Sequence, residues 1–180
     1  MSFAVRCASG AAGLTTAALI LAVPSVYAAE QTEAPVASFA DAGTRAIAAQ
    51  DREAVQAAAT LCGDGYTLIY AERLPDERRW GTLFTYMNWS DYSAGRGCAV
   101  FDNNLGVSKY MKLSICESTI ESPECVTDAG NFSQYAGPVY SKTYWKYQQC
   151  SKVTAIMKNS ASDSDAAALI NRRLSVGTCN

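Results

Sequence analysis

The sequence predicts a mainly β domain: a small disulfide-bonded β-sandwich or barrel with an Ala-rich N-terminal helix. Three observations carry this. From Cys62 onward, short apolar and alternating runs are separated by Gly, Pro, Asn and Asp turns. Six cysteines follow the leader, an even number that suits an exported disulfide framework. Helical patterning is concentrated in a single Ala-rich stretch before the first strand.

Residues 1–28 read as a signal peptide. Arg6 supplies the positive start, Ala11 to Val23 an apolar run, and Val26-Tyr27-Ala28 a small-x-small cleavage site. Cleavage is expected after Ala28, with Ala29 as the next choice. The apolar run is too short for a spanning helix, which needs about 20 residues, so no membrane partner is expected after processing. Cys7 leaves with the leader. Removing 28 of 180 residues leaves 152, enough for one domain. The formal charge of −2 becomes −3 when Arg6 departs. Arg78-Arg79 and Arg172-Arg173 are only pairs, so no nucleic-acid partner is expected.

Residues 29–60 are the lead and helix. Glu30 to Phe39 has no periodicity and reads as disordered. Asp41 to Leu61 has Ile47, Ala54, Val55, Ala58 and Leu61 near a 3.6-residue repeat, with Asp41 or Thr44 as cap and Gly63 as stop. Its Ala-rich face buries little area, so docking and a mobile stalk are both open. Residues 61–180 are the β domain. Tyr66 to Ala71, Trp80 to Met87, Cys98 to Asp102 and Val107 to Cys116 read as strands. Asp128 to Val139 reads as a turn, an aromatic pair and a Gly-Pro corner. Val139 to Tyr147 and Cys150 to Lys158 read as further strands, and Ala166 to Leu174 as a short helix or closing strand.

Cys62-Gly63-Asp64-Gly65-Tyr66 resembles the C-G-x-G-Y opening of small secreted spore-associated proteins of filamentous actinobacteria. Gly81-Thr82-Leu83-Phe84-Thr85-Tyr86 and Gly97-Cys98-Ala99-Val100 resemble two strands of that family. Asp128-x-Gly130-x-Phe132-x-x-Tyr135-Ala136-Gly137-Pro138-Val139 is similar to its D-S-G-x-F/Y-x-x-Y-A-G-P-V segment. The resemblance runs from Cys62 to Cys150. It departs where Ser151-Lys152-Val153-Thr154 stands in place of V-x-W-G-G, and in the extra pair Cys116 and Cys125. It implies secretion and association with spore or cell-envelope components, and it carries no catalytic residues.

Histidine is absent, which removes Ser-His-Asp and Cys-His catalysis. No cofactor is expected. Zinc is disfavoured, because there is neither His nor a C-x2-C pair. A carboxylate pair would have to come from Asp64, Asp91, Asp102, Asp128, Glu117, Glu121 or Glu124. Turn-shaping and surface roles are favoured for these acids. A solvated loop is favoured over calcium binding at Glu117, Glu121 and Glu124. Asn88-Trp89-Ser90 and Asn131-Phe132-Ser133 match glycosylation sequons, read as coincidental in a bacterial context.

Tyr66, Tyr70, Trp80, Tyr86, Trp89, Tyr92, Tyr135, Tyr140, Tyr144 and Trp145 are read chiefly as β-core residues, with sugar or partner platforms as the rival role. Trp89, in a polar stretch, is the best candidate for an exposed platform. The resulting expectation is a non-enzymatic exported protein of the spore or cell surface, structural or adhesive. The alternatives are a secreted glycan-binding module and a carboxylate-dependent glycoside hydrolase.

The expected bridges are Cys62–Cys98, Cys116–Cys125 and Cys150–Cys179. Crossed pairing, Cys62–Cys150 with Cys98–Cys179, is the competitor. Sequencing the exported protein from its amino end is expected to start at Ala29 or Glu30; a start at Met1 would refute export by this signal.

Overall fold

The computed structural model describes residues 33–76, 78–89, 96–117, 124–141 and 150–177. The signal peptide, its cleavage site after Ala28 or Ala29, and Cys179 lie outside the described residues. So does the side chain of Cys150.

The chain forms α1 (Ala42–Gln50), α2 (Arg52–Cys62), β1 (Tyr66–Leu74), β2 (Gly81–Asn88), β3 (Arg96–Asn103) and β4 (Lys109–Glu117). It continues with β5 (Cys125–Phe132), β6 (Tyr135–Tyr140), β7 (Cys150–Lys158) and β8 (Ile170–Gly177). One antiparallel sheet, A, has the order β1-β2-β3-β6; the other, B, has the order β5-β4-β7-β8. Neither closes on itself, so the protein is mainly β with two open sheets rather than a barrel. Leu83, Ala99 and Phe101 of sheet A meet Met111, Leu113, Ile115, Val153, Ala155 and Met157 of sheet B in one buried cluster.

The other face of sheet A is covered by helix. Leu68, Phe84, Tyr86, Cys98 and Val100 pack with Ile47, Val55, Ala58 and Ala59. Residues 81–87 of β2 are therefore buried on both faces, which accounts for their near-continuous apolar character. The helix docks; it is not a stalk. The Tyr86 hydroxyl donates to the Val55 carbonyl at 2.6 Å, and the Cys62–Cys98 disulfide ties the end of α2 to β3.

The expected single helix is two. Asp41 caps α1, its carboxylate accepting the Thr44 N–H at 2.7 Å. Asp51 then ends α1 and opens α2 with non-helical backbone. Its side chain accepts from the Arg73 guanidinium of β1, which also reaches Gln50 at 3.1 Å. This ion pair ties the helix break to the sheet.

The lead is not disordered from Glu33 onward. The Leu68 N–H donates to the Pro35 carbonyl at 2.8 Å and the Ala37 N–H to the Leu68 carbonyl at 2.9 Å, a parallel bridge on the edge of β1. The open backbone groups of an edge strand take any extended segment that reaches them. Ala37 and Ala40 are buried by this docking.

The stretch read as a corner, Asp128 to Val139, is mostly two strands in different sheets, β5 and β6, joined by Ser133-Gln134. Asp128 accepts the Gly137 N–H at 2.7 Å, where β6 shifts register against β3. Of the strand expected over Val139 to Tyr147, Val139 and Tyr140 lie in β6 and residues 142–149 lie outside the described residues. The ambiguous Ala166 to Leu174 resolves into a 3-10 turn, Asp165–Ala167, followed by β8.

Cys116 stands opposite Cys125 in the β4–β5 register, and the two form a disulfide. With Cys62 joined to Cys98, the crossed pairing is excluded.

Gly137 has φ +98, and an added Cβ would lie 2.8 Å from the Ala99 carbonyl oxygen. Gly106 has φ +68, with nothing within 4 Å of an added Cβ. Gly137→Ala is expected to cost about 2–4 kcal/mol, through strain plus a backbone clash, and Gly106→Ala only about 1 kcal/mol. Urea denaturation of both variants with disulfides intact checks the contrast; equal costs would refute it.

Candidate functional site

The docked lead and the end of β2 bring two aromatic side chains together at the surface. Phe39 and Trp89 are edge to face, with ring centroids 5.9 Å apart and planes at 84°. Both are exposed, at 49% and 42%, and Val36 on the same lead is exposed at 37%. Ala37 and Ala40 of the same lead form a small buried cluster with Ile69 and Met87. The lead is held to β1 by its parallel bridge, and Ala40 closes a turn onto Ala37 with a 3.0 Å hydrogen bond. An edge-to-face pair engages only one face of one ring, so flat apolar surface remains open.

The sequence singled out Trp89 and missed Phe39. A lone Phe in an Ala- and Pro-containing segment carries no periodic signal; only the docking of the lead gives it a position.

The other candidate aromatics have structural partners. Tyr66 and Tyr86 are buried. The Tyr140 hydroxyl donates toward the Leu61 and Cys62 carbonyls, each at 3.2 Å. Trp80 lies under the Arg78 guanidinium, 4.2 Å from the ring centre, and Tyr135 packs against the helix-side cluster. Tyr92, Tyr144 and Trp145 lie outside the described residues.

The described candidate carboxylates have different local settings. Asp128 serves the Gly137 N–H. Asp64 sits in the turn before β1, where its carbonyl accepts from the Asn88 amide at 3.1 Å. Glu124 is exposed at the start of β5. Asp91, Glu121 and the Glu117 side chain lie outside the described residues. Among the described residues, no group of three or more His, Cys, Asp or Glu is placed to hold a metal ion.

A carboxylate the sequence reading passed over, Glu72, has the richest setting. The Tyr70 hydroxyl and the Arg172 Nε both donate to its Oε2, each at 2.7 Å. Glu72 lies on β1 and Arg172 on β8, so this cluster ties an edge of sheet A to an edge of sheet B. Burial pushes the Tyr70 hydroxyl up to about 12, assisted by its bond to Glu72. Arg173, the neighbour of Arg172 on β8, is exposed and lies 3.6 Å from Asp165.

Asp102 on β3 is half-buried, and burial raises its carboxyl to about 6. Burial also raises the Tyr86 hydroxyl, and the Asp102 charge adds to that rise.

A comparison of the chain with protein families, curated proteins and solved structures finds no match.

A carboxyl raised on folding binds its proton more tightly in the folded state. Its contribution to stability is therefore greatest at low pH and falls as pH rises from about 4 to about 6. Asp102→Asn is expected to remove this loss, gaining roughly 2–3 kcal/mol over the parent at pH 7 and little at pH 4. Urea unfolding of both proteins across pH 4 to 7 measures the difference; a pH-independent gap would overturn the assignment.

Proposed function

We propose that this chain is an exported, non-catalytic adhesion domain of the spore or cell surface, which holds envelope glycan against the Phe39–Trp89 pair. The observation that carries the reading is the pair itself: two large, rigid rings set against each other at the surface, one of them on a lead bridged to β1. Rings of this kind bury the apolar face of a sugar at little cost in side-chain entropy.

Two further observations support the setting. The disulfides Cys62–Cys98 and Cys116–Cys125 suit an oxidising, extracellular compartment. No described helix is long and apolar enough to cross a membrane. The resemblance over Cys62 to Cys150 supports association with spore or cell-envelope components. It includes the Asp128 and Gly137 positions that join β5 to β6. The non-catalytic part of the reading is supported by the absence of histidine from the sequence and by the structural use of Asp128 on the Gly137 N–H.

The test is retention on insoluble envelope polysaccharide from an actinobacterial culture. Trp89→Ala and Phe39→Ala are each expected to weaken retention about three- to tenfold, the effect of losing one stacking ring. Both positions are exposed, so the fold should be unaffected by circular dichroism. Retention equal to the parent in both variants would overturn the reading.

A further inference from the structure

The Cys62–Cys98 and Cys116–Cys125 bridges stand in opposite environments. Cys62 and Cys98 are 5% and 0% exposed, packed with Val55, Ala58, Phe84 and Tyr86 beneath the helices. The Cys116–Cys125 bridge lies at the surface of sheet B. Cys125 is exposed on β5, the edge strand of that sheet, and Cys116 beside it on β4 is half-buried. Met111, Leu113 and Ile115 take the inner positions of β4, so alternation puts Cys116 on the outer face.

The register adds a cation. Cys116 stands opposite Cys125 on one side and opposite Lys152 of β7 on the other. Residues directly opposite in an antiparallel pair share a face, with Cβ atoms about 4.5–5.5 Å apart. Lys152 is exposed and pairs with no carboxylate among the described residues. The acid next to the bridge in sequence is Glu124, exposed on the Cys125 side, which favours an uncharged thiol over an anionic one.

A disulfide exchanges when a thiolate attacks one sulfur and the other leaves as a thiolate. The attacked sulfur has to be reachable, and the leaving sulfur is stabilised as an anion by a nearby lysine. Cys125 meets the first requirement and Cys116 the second. We propose that Cys116–Cys125 is a thiol–disulfide exchange site, at which a low-molecular-weight thiol is taken onto Cys125 and Cys116 is released beside Lys152. The incoming thiolate forms a bond to Cys125 Sγ; the bond between the two cysteines breaks, and its electron pair leaves on Cys116 Sγ. One disulfide replaces another, so no oxidant or reductant is consumed. The remaining register pairs of β4 and β5, from Lys109↔Phe132 to Ile115↔Val126, hold the strands together afterwards. The site shares no residue with the Phe39–Trp89 pair, so Trp89→Ala should leave exchange unchanged.

The experiment treats the folded mature protein with graded 2-mercaptoethanol, without denaturant. Free thiols are alkylated with iodoacetamide, and digestion at glutamate separates Cys116 from Cys125 at Glu117. Mass spectrometry then reads each cysteine. The mercaptoethanol adduct is expected on Cys125 with the alkyl group on Cys116, favoured about three- to fivefold over the reverse. It should form at thiol concentrations about tenfold below those that open Cys62–Cys98. Lys152→Gln should bring the two adducts toward parity, and Lys152→Arg should keep the preference. In Cys125→Ser, where Cys116 is a free thiol, adding Lys152→Gln should move the pH profile of its alkylation to higher pH, a change that lost packing alone would not produce. Opening of Cys62–Cys98 at the same thiol concentration, an adduct chiefly on Cys116, or no adduct short of unfolding would each overturn the site. An adduct ratio unchanged in Lys152→Gln would refute the release of Cys116 beside that lysine, and this ratio decides even if Cys125→Ser does not fold.

Discussion

The constraint on which the structure depends is the burial of sheet A on both faces. Residues 81–87 and 97–101 are buried without interruption, so two apolar surfaces have to be covered at once. Sheet B covers one and the two helices cover the other. An Ala-rich helix pair is weakly apolar and would be marginal in water. It stays because its small side chains allow close approach, and because specific ties fix it. These are the Cys62–Cys98 disulfide, the Tyr86 hydroxyl on the Val55 carbonyl, the Thr44 hydroxyl on the Ala71 N–H at 3.0 Å, and the Arg73–Asp51 ion pair.

Polar groups then seal the seams of the sandwich. At one edge Glu72 is shared by Tyr70 and Arg172. At the other, the chain leaves sheet B and enters sheet A between Phe132 and Tyr135, and Asp128 reaches across to Gly137. Asn103 works at the end of β3: its amide donates to the Val107 and Phe132 carbonyls, both at 2.8 Å, and its oxygen accepts from Leu105. One buried side chain thus satisfies backbone groups of two separate turns, groups that would be costly to leave unpaired away from water. On the outer side of sheet B, Lys158 bonds the Asp163 carbonyl and pairs with Asp165, holding down the Ser- and Asp-rich loop.

The exposed aromatic pair depends on one small event, the docking of residues 33–40 along β1. The bridge to Leu68 presents Phe39 beside Trp89. It also buries Ala37 and Ala40 of the lead. The segment that pairs with the open edge of β1 also carries the exposed side chains Val36 and Phe39.

What the sequence alone determined was local. The alternation around Met111, Leu113 and Ile115 placed β4 and its buried face, and turn residues separated the first four strands. The nine-residue spacing of Cys116 and Cys125 marked a narrow loop. Trp89 in a polar stretch marked an exposed ring. These properties depend on residues a few positions apart, where backbone period and turn chemistry operate. The rest was decided by tertiary structure. Asp51 breaks the helix where Arg73 reaches it; Asp128 to Val139 becomes two strands because neighbouring edges in each sheet take them; Glu72 meets Arg172 across 100 positions of sequence. Phe39 acquires a partner only when the lead finds the open edge of β1. Which edge is open, and which charge stands beside it, depends on every strand already placed, and no local pattern records that.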